Sequence, residues 1–163
     1  MRASDPFVQQ DVRVLSPEAF DFVLQNELKR AVRSQNFLTL VVMEPTPIDA
    51  AGAGEPSDQD RAQAVHQIAR LVSRDVRETD LLSETAAGRL SVVLLDADLQ
   101  SSMHVIDRLM SRLEHYEFPR PLAIEVGAAC CPTHGADADS LRRAAEARAV
   151  HPRGESRGHA SNG

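Results

Sequence analysis

The stretch "RETDLLSETAAGRLSVVLLDAD", residues 77–98, joins a charged pair to an apolar run through a tight turn. Its run Leu90–Leu95 is short and mostly apolar, which is typical of a buried strand. The small residues just before that run predict a tight turn, so two short strands should form a hairpin. Upstream of the hairpin, Arg77 and Asp80 stand three residues apart and form a candidate functional pair.

Helices and strands alternate on both sides of this hairpin. Ser16 is suited to cap a helix and Pro17 to its first turn, and apolar residues follow at helical spacing. The sequence predicts helices at 16–36, 60–76, 99–115 and 139–151, strands at 37–43, 90–95 and 122–131, and a loop at 44–60. The alternation indicates one α/β (α+β) domain at 16–150, between an N-terminal arm at 1–15 and a disordered tail at 151–163.

Composition excludes several classes of protein. The 163 residues carry a net charge of −6 and no basic run, which argues against binding a nucleic-acid polymer. No apolar stretch reaches the roughly 18 residues that a membrane span needs, and the N-terminus has no signal core, so we expect a cytoplasmic protein. Cys130 and Cys131 are adjacent and rarely form a disulfide in that arrangement, and the six histidines lack metal-ligand spacing.

Three stretches together resemble the GGDEF (diguanylate cyclase) family over residues 16–150. They are the first helix with its strand, the hairpin with the helix after it, and "IEVGAACCPTHGADADSLRRAAEARA". The last stretch matches the family pattern in order at Gly127, Ala128, Pro132, Gly135, Asp137 and Leu141. The resemblance implies a central, mostly antiparallel sheet flanked by helices, related to nucleotide-cyclase and polymerase palm domains. It also implies enzymes that join two GTP molecules into cyclic di-GMP with Mg²⁺.

The same resemblance implies that this chain has lost catalysis. The family's five-residue signature aligns with Ala86, Ala87, Gly88, Arg89 and Leu90. Gly88 and Arg89 stand where the family has acids, so a divalent ion would meet positive charge there. Glu44 keeps a carboxylate at the family's other metal position, but prolines follow it where a phosphate-binding turn is needed. We therefore expect no enzyme activity, no cofactor and no bound Mg²⁺ or other metal.

A second family site, which binds the product in feedback inhibition, is retained by alignment. Its residues fall on Arg77, Asp80 and Arg108. A guanidinium can meet the O6 and N7 acceptors of guanine or pair with phosphate, and a carboxylate can accept from the guanine N1–H and N2–H₂ edge. The alternative is structural: Asp80 bounds a turn, Arg77 is a helix-end charge favoured by the helix dipole, and Arg108 is a surface residue.

Two functional hypotheses follow. In the first, an inactive GGDEF-like domain binds cyclic di-GMP through Arg77, Asp80 and Arg108 and acts as a receptor or regulator. In the second, the domain is a protein-interaction or dimerisation module that binds no nucleotide. Both hypotheses imply a protein partner or a homodimer. Binding of GTP without turnover is disfavoured because the phosphate-binding turn is absent.

Overall fold

The computed structural model describes residues 14–48, 54–85 and 88–148. Most of the predicted arm, the whole predicted tail, and Ala86 and Ala87 lie outside these residues. The helices are α1 (Pro17–Ser34), α2 (Asp58–Asp75), α3 (Leu99–Glu114) and α4 (Ala138–Ala147). The strands are β1 (Leu38–Pro47), β2 (Leu81–Thr85), β3 (Arg89–Leu95) and β4 (Leu122–Cys131).

The four strands form one antiparallel sheet in the order β2-β3-β1-β4. One face of the sheet packs against α2 and α3, where Ile68 and Ile106 are fully buried. The other face packs against α1 and α4, where Leu24 and Leu141 are fully buried. The predicted α+β architecture, an antiparallel sheet between helices, is confirmed. The last residue of the predicted arm, Leu15, forms a parallel bridge with Ser83 beside the outer strand β2.

Side-chain caps fix where the first two helices begin. The Ser16 hydroxyl accepts from the Ala19 amide at 3.1 Å, as the sequence predicts for α1. Helix α2 begins at Asp58, two residues before its predicted start. Ser57 and Asp60 cap each other's backbone amides there, at 3.0 and 2.9 Å, in a capping box.

The predicted loop at 44–60 is wrong at both ends, because β1 continues through Pro47 and α2 begins at Asp58. Strand β1 pairs with β4 out to Pro47, whereas its pairing with β3 ends at Met43. The Ile48 amide donates to Pro121, the residue before β4, at 2.9 Å. Backbone amides along a strand point alternately to its two sides, and the Ile48 amide points toward β4. The backbone nitrogens of Pro45 and Pro47 therefore point to the other side, which β3 no longer occupies. Proline lacks an N–H and is tolerated in a strand on such an unpaired edge.

The turn after β4 is closed by His134. Its Nδ1 accepts from the Cys130 amide at 2.9 Å, and its own amide donates to the Cys130 carbonyl at 2.7 Å. Burial, together with the positive charge of Arg148, lowers the pKa of His134 below its ordinary value. The neutral ring is therefore the form that the fold stabilises.

We expect this histidine to make stability depend on pH. The unfolded chain takes up a proton near its ordinary pKa of about 6.5, while the folded chain resists until lower pH. The contribution of His134 is present above about pH 6.5 and is lost as the pH falls through the folded pKa. Urea unfolding at pH 8 and pH 5.5 should show a smaller pH-dependent loss in His134→Gln than in the wild type. His104 is an exposed histidine on α3 and serves as the control. If His104→Gln reduced the pH-dependent loss of stability as much as His134→Gln does, the assignment to His134 would be contradicted.

Candidate ligand-binding site

The turn between α2 and β2 is built around the carboxylate of Asp80. Asp80 is 5% exposed. Its Oδ2 accepts from the Arg77 amide at 3.0 Å, and its Oδ1 accepts from the Leu95 amide at 3.1 Å. The Asp80 amide in turn donates to the Arg77 carbonyl at 3.0 Å. Asp80 therefore closes the turn and ties it to the end of β3, and its oxygens face inward.

Arg77 lies on the same turn with its side chain directed outward. Its Nη2 donates to the Leu95 carbonyl and lies 3.6 Å from Asp80 Oδ1. The side chain is nevertheless 60% exposed. A guanidinium carries five N–H groups, so most of its donors are free to meet a ligand from solution. The carbonyl and the buried carboxylate hold this cation at the end of β3.

Arg108 approaches the same corner from α3. Its Nη2 donates to the Asp75 carbonyl at 3.2 Å, and its Nε lies 3.8 Å from Asp75 Oδ2. Arg112, one turn further along α3, donates to the same Oδ2 at 3.0 Å. An acid in the last turn of a helix is disfavoured by the helix dipole, and the Asp75 side chain is only 9% exposed. The two arginines compensate that charge, and Asp75 holds Arg108 in place.

The structure thus brings Arg77, Asp80 and Arg108 to one end of the sheet. Asp75, which holds Arg108, is two residues from Arg77, so their Cα atoms are at most about 7.6 Å apart. Both arginine side chains are more than half exposed. The arrangement places two guanidiniums at this end of the sheet, each held by oxygen atoms of the protein itself. The sequence predicted that the Asp80 carboxylate contacts the ligand. In the structure this carboxylate instead accepts from two backbone amides and faces away from solvent.

The signature hairpin lies at the opposite end of β3. Gly88 adopts φ +78 and its amide donates to the Thr85 carbonyl at 3.1 Å, as expected for the last residue of a three-residue hairpin loop. Arg89 lies between two acids: its Nε is 3.3 Å from Glu44 Oε1 and its Nη1 is 3.0 Å from Glu146 Oε2. The guanidinium joins β1, β3 and α4 by ion pairs.

This ion-pair cluster does not fit a divalent cation. The Glu44 carboxylate already has a cationic partner, and a second cation beside Arg89 would be repelled. Over residues 14–48, 54–85 and 88–148, no group of three or more His, Cys, Asp or Glu is placed to hold a metal ion.

Sequence reasoning missed the partners of these arginines. Asp75 sits at the end of a helix where an acid is unfavourable, and that was the available signal. Glu146 gave no such signal, because its contact with Arg89 spans 57 residues of sequence.

Within the described part of the chain, no helix combines the length and apolar character needed to cross a membrane.

Comparison with known proteins identifies the fold. No protein-family model and no curated protein matches the sequence. Solved structures do match. A DGC protein from Thermotoga maritima has a TM-score of 0.69 at 13% identity, covering 86% of this chain and 98% of that one. The active GGEEF domain of a diguanylate cyclase from Vibrio cholerae has a TM-score of 0.66 at 12% identity, covering 82% of this chain and 87% of that one.

A third match comes from a ligand-bound structure. The GGDEF domain of DgcB from Caulobacter crescentus, in complex with c-di-GMP, has a TM-score of 0.65 at 11% identity, with 84% of each chain covered. All three neighbours share the sheet and flanking helices at an identity that speaks for the fold alone. The chain has the α+β, palm-like fold of GGDEF domains.

Proposed function

We propose that this chain is a catalytically inactive GGDEF-fold signalling domain that binds cyclic di-GMP and acts in the cytoplasm as a receptor or regulator. The observation that carries the proposal is the pair of exposed guanidiniums at the end of β3. Arg77 is anchored on Leu95 and Arg108 on Asp75, so both cations are fixed before a ligand arrives. Preorganised charge reduces the ordering cost of binding.

The chemistry of the ligand suits this pair. Cyclic di-GMP carries two phosphates and two guanines, and a guanidinium can pair with phosphate or meet the O6 and N7 edge of guanine. In this proposal Asp80 contributes by positioning: it fixes the turn and the end of β3 from which Arg77 extends. Likeness of fold to the c-di-GMP-bound DgcB domain is consistent with this ligand class.

The loss of catalysis is supported at the hairpin. Transfer of a phosphoryl group requires cations that neutralise the developing charge, held by carboxylates. Here Arg89 stands between Glu44 and Glu146, and Gly88 has no side chain to bind a metal. The resident guanidinium blocks the charge arrangement that the reaction needs.

We accordingly expect no product from GTP. The chain incubated with GTP and Mg²⁺ should yield no cyclic di-GMP detectable by chromatography, under conditions in which an active diguanylate cyclase converts most of its substrate. Product formation above the protein-free control would overturn the claim of inactivity and leave the claim of binding to be judged separately by titration.

Calorimetric titration with cyclic di-GMP tests the binding claim. We expect a dissociation constant in the micromolar range or tighter, and an accompanying rise in the unfolding temperature, because a ligand that binds only the folded chain stabilises it. The absence of both heat and thermal shift at saturating ligand would refute the receptor proposal.

A second candidate function is a protein-interaction or dimerisation module. On α1, Phe22 and Val32 are 68% and 50% exposed, and exposed large apolar side chains are candidates for a partner contact. A receptor also needs an output, so a protein partner or a second copy fits either function. The titration separates the two, because the module alone would bind no dinucleotide.

A further inference from the structure

A small cavity adjoins the 77–80 turn on its α1 side. Its volume is about 140 Å³. It is lined by residues of α1, of the start of β1, of the 77–80 turn and of the end of β3: Glu27, Arg30, Ala31, Asn36, Phe37, Leu38, Thr79, Leu95 and Asp96. Pockets for drug-sized ligands begin at roughly 300 Å³, so this one is suited to a single ring system. Two of its lining residues touch the site already described: Thr79 lies inside the turn, and Leu95 accepts from Arg77.

Asp96 places an available carboxylate at this cavity. The residue is exposed and adopts φ 55, a left-handed conformation uncommon outside glycine and the Asx residues. Among the described residues its side chain has neither a hydrogen bond nor an ion pair. Asp80, by contrast, is buried and accepts two backbone amides. Glu27 of α1 also lines the cavity, but its carboxylate lies 3.6 Å from Arg30 Nη1 and its side chain is 23% exposed. The acid at this cavity without a cationic partner is therefore Asp96.

Phe37 supplies an apolar ring to the same cavity. It is 44% exposed although the next residue, Leu38, is buried at the start of β1. Aromatic side chains stack on nucleobases, and such stacking is sequence-tolerant because every base has a π face. An exposed ring and an unpaired carboxylate that line the same cavity can together bind a nucleobase. The ring of Phe37 can stack on the face of the base, and the carboxylate of Asp96 can accept hydrogen bonds from its edge.

We propose that this cavity takes one guanine of the bound cyclic di-GMP. Phe37 stacks on the base, Asp96 accepts from its N1–H and N2–H₂ groups, and Arg77 at the rim pairs with a phosphate. This inference rests on the proposed function and deepens it, because it assigns base recognition to residues that the sequence did not single out. Adenine has no N1–H or N2–H₂, so Asp96 would discriminate between purines.

Titration of Asp96→Asn with cyclic di-GMP and cyclic di-AMP tests the assignment. Asparagine tolerates the left-handed conformation, so the variant should fold. We expect at least a tenfold loss of affinity for cyclic di-GMP and a smaller change for cyclic di-AMP. Phe37→Ala should weaken both ligands to a similar extent. Glu117→Gln, an exposed acid before β4 at the opposite end of the sheet, is the charge-matched control and should change neither.

The outcomes separate this inference from the proposed function. If the wild type binds cyclic di-GMP and Arg77→Ala weakens it, but Asp96→Asn and Phe37→Ala bind within twofold of wild type, the base pocket is refuted and the receptor stands. Equal losses for both dinucleotides in Asp96→Asn would also refute base reading by this carboxylate. If the wild type binds no cyclic di-GMP, both proposals fall.

Discussion

Replacing Gly127 with alanine is expected to destabilise the fold by about 3 kcal/mol, at the upper end of the usual cost of overpacking. A Cβ atom on Gly127 would lie 1.9 Å from the carbonyl oxygen of Ala145 and 3.0 Å from its carbon. Both are backbone atoms of α4, so no side-chain rotation can relieve the clash. The end of the helix would have to move away from β4.

That movement would disturb the core on this face of the sheet. Leu141 and Ala145 of α4 are fully buried, and the Ala128 amide donates to the Arg148 carbonyl at 3.4 Å just after the helix. Urea unfolding measures the loss, since a domain of this size is expected to unfold in a single transition. Gly135→Ala is the graded control, because its nearest contact would be the Ser140 Cβ at 3.1 Å. A loss below about 1 kcal/mol for Gly127→Ala, or a larger one for Gly135→Ala, would contradict the close approach of α4.

Removing the two guanidiniums is expected to abolish ligand binding. A hydrogen bond to a charged group contributes about 1.5–3 kcal/mol, so Arg77→Ala and Arg108→Ala should each weaken cyclic di-GMP binding by at least about tenfold. The double variant should bind cyclic di-GMP at least about a hundredfold more weakly if the contributions of the two arginines are additive. Calorimetry on each variant gives these values directly.

Controls are needed to distinguish the loss of a contact with the ligand from destabilisation of the fold. Arg77→Ala also leaves the Leu95 carbonyl without its guanidinium donor, so urea unfolding of each variant should accompany the titration. Arg143→Ala removes an exposed arginine of α4, and with it the same charge, and should bind like wild type. Equal weakening in Arg143→Ala would show that the effect is one of net charge and that the predicted site is not responsible.

Much of the fold follows from local sequence. Ser16 and Pro17 predict where α1 begins, and the apolar run in β3 predicts a buried strand, because caps and periodicity are properties of neighbouring residues. The extension of β1 through Pro47 could not be read in the same way. Its prolines indicate a loop unless one knows that the pairing of β1 with β3 stops at Met43 and leaves that edge unpaired.

The candidate site was likewise predictable in part: its residues could be predicted from the sequence, whereas their contacts could not. Alignment placed Arg77, Asp80 and Arg108 in one site, and the fold brings them to one end of the sheet. The direction in which Asp80 points depends on the Leu95 amide, fifteen residues away, and the sequence does not reveal it. The pairing of Arg89 with Glu44 likewise spans 45 residues. Long-range contacts decide whether an acid meets a ligand or the protein's own backbone.

The most direct test of the central claim is to map cyclic di-GMP onto the backbone amides by NMR titration. We expect the largest shifts at the turn 77–80, at Leu95 and Asp96, and around Arg108, with little change at the hairpin residues Gly88–Leu90. Shifts centred on the hairpin, or none at saturating ligand, would contradict it.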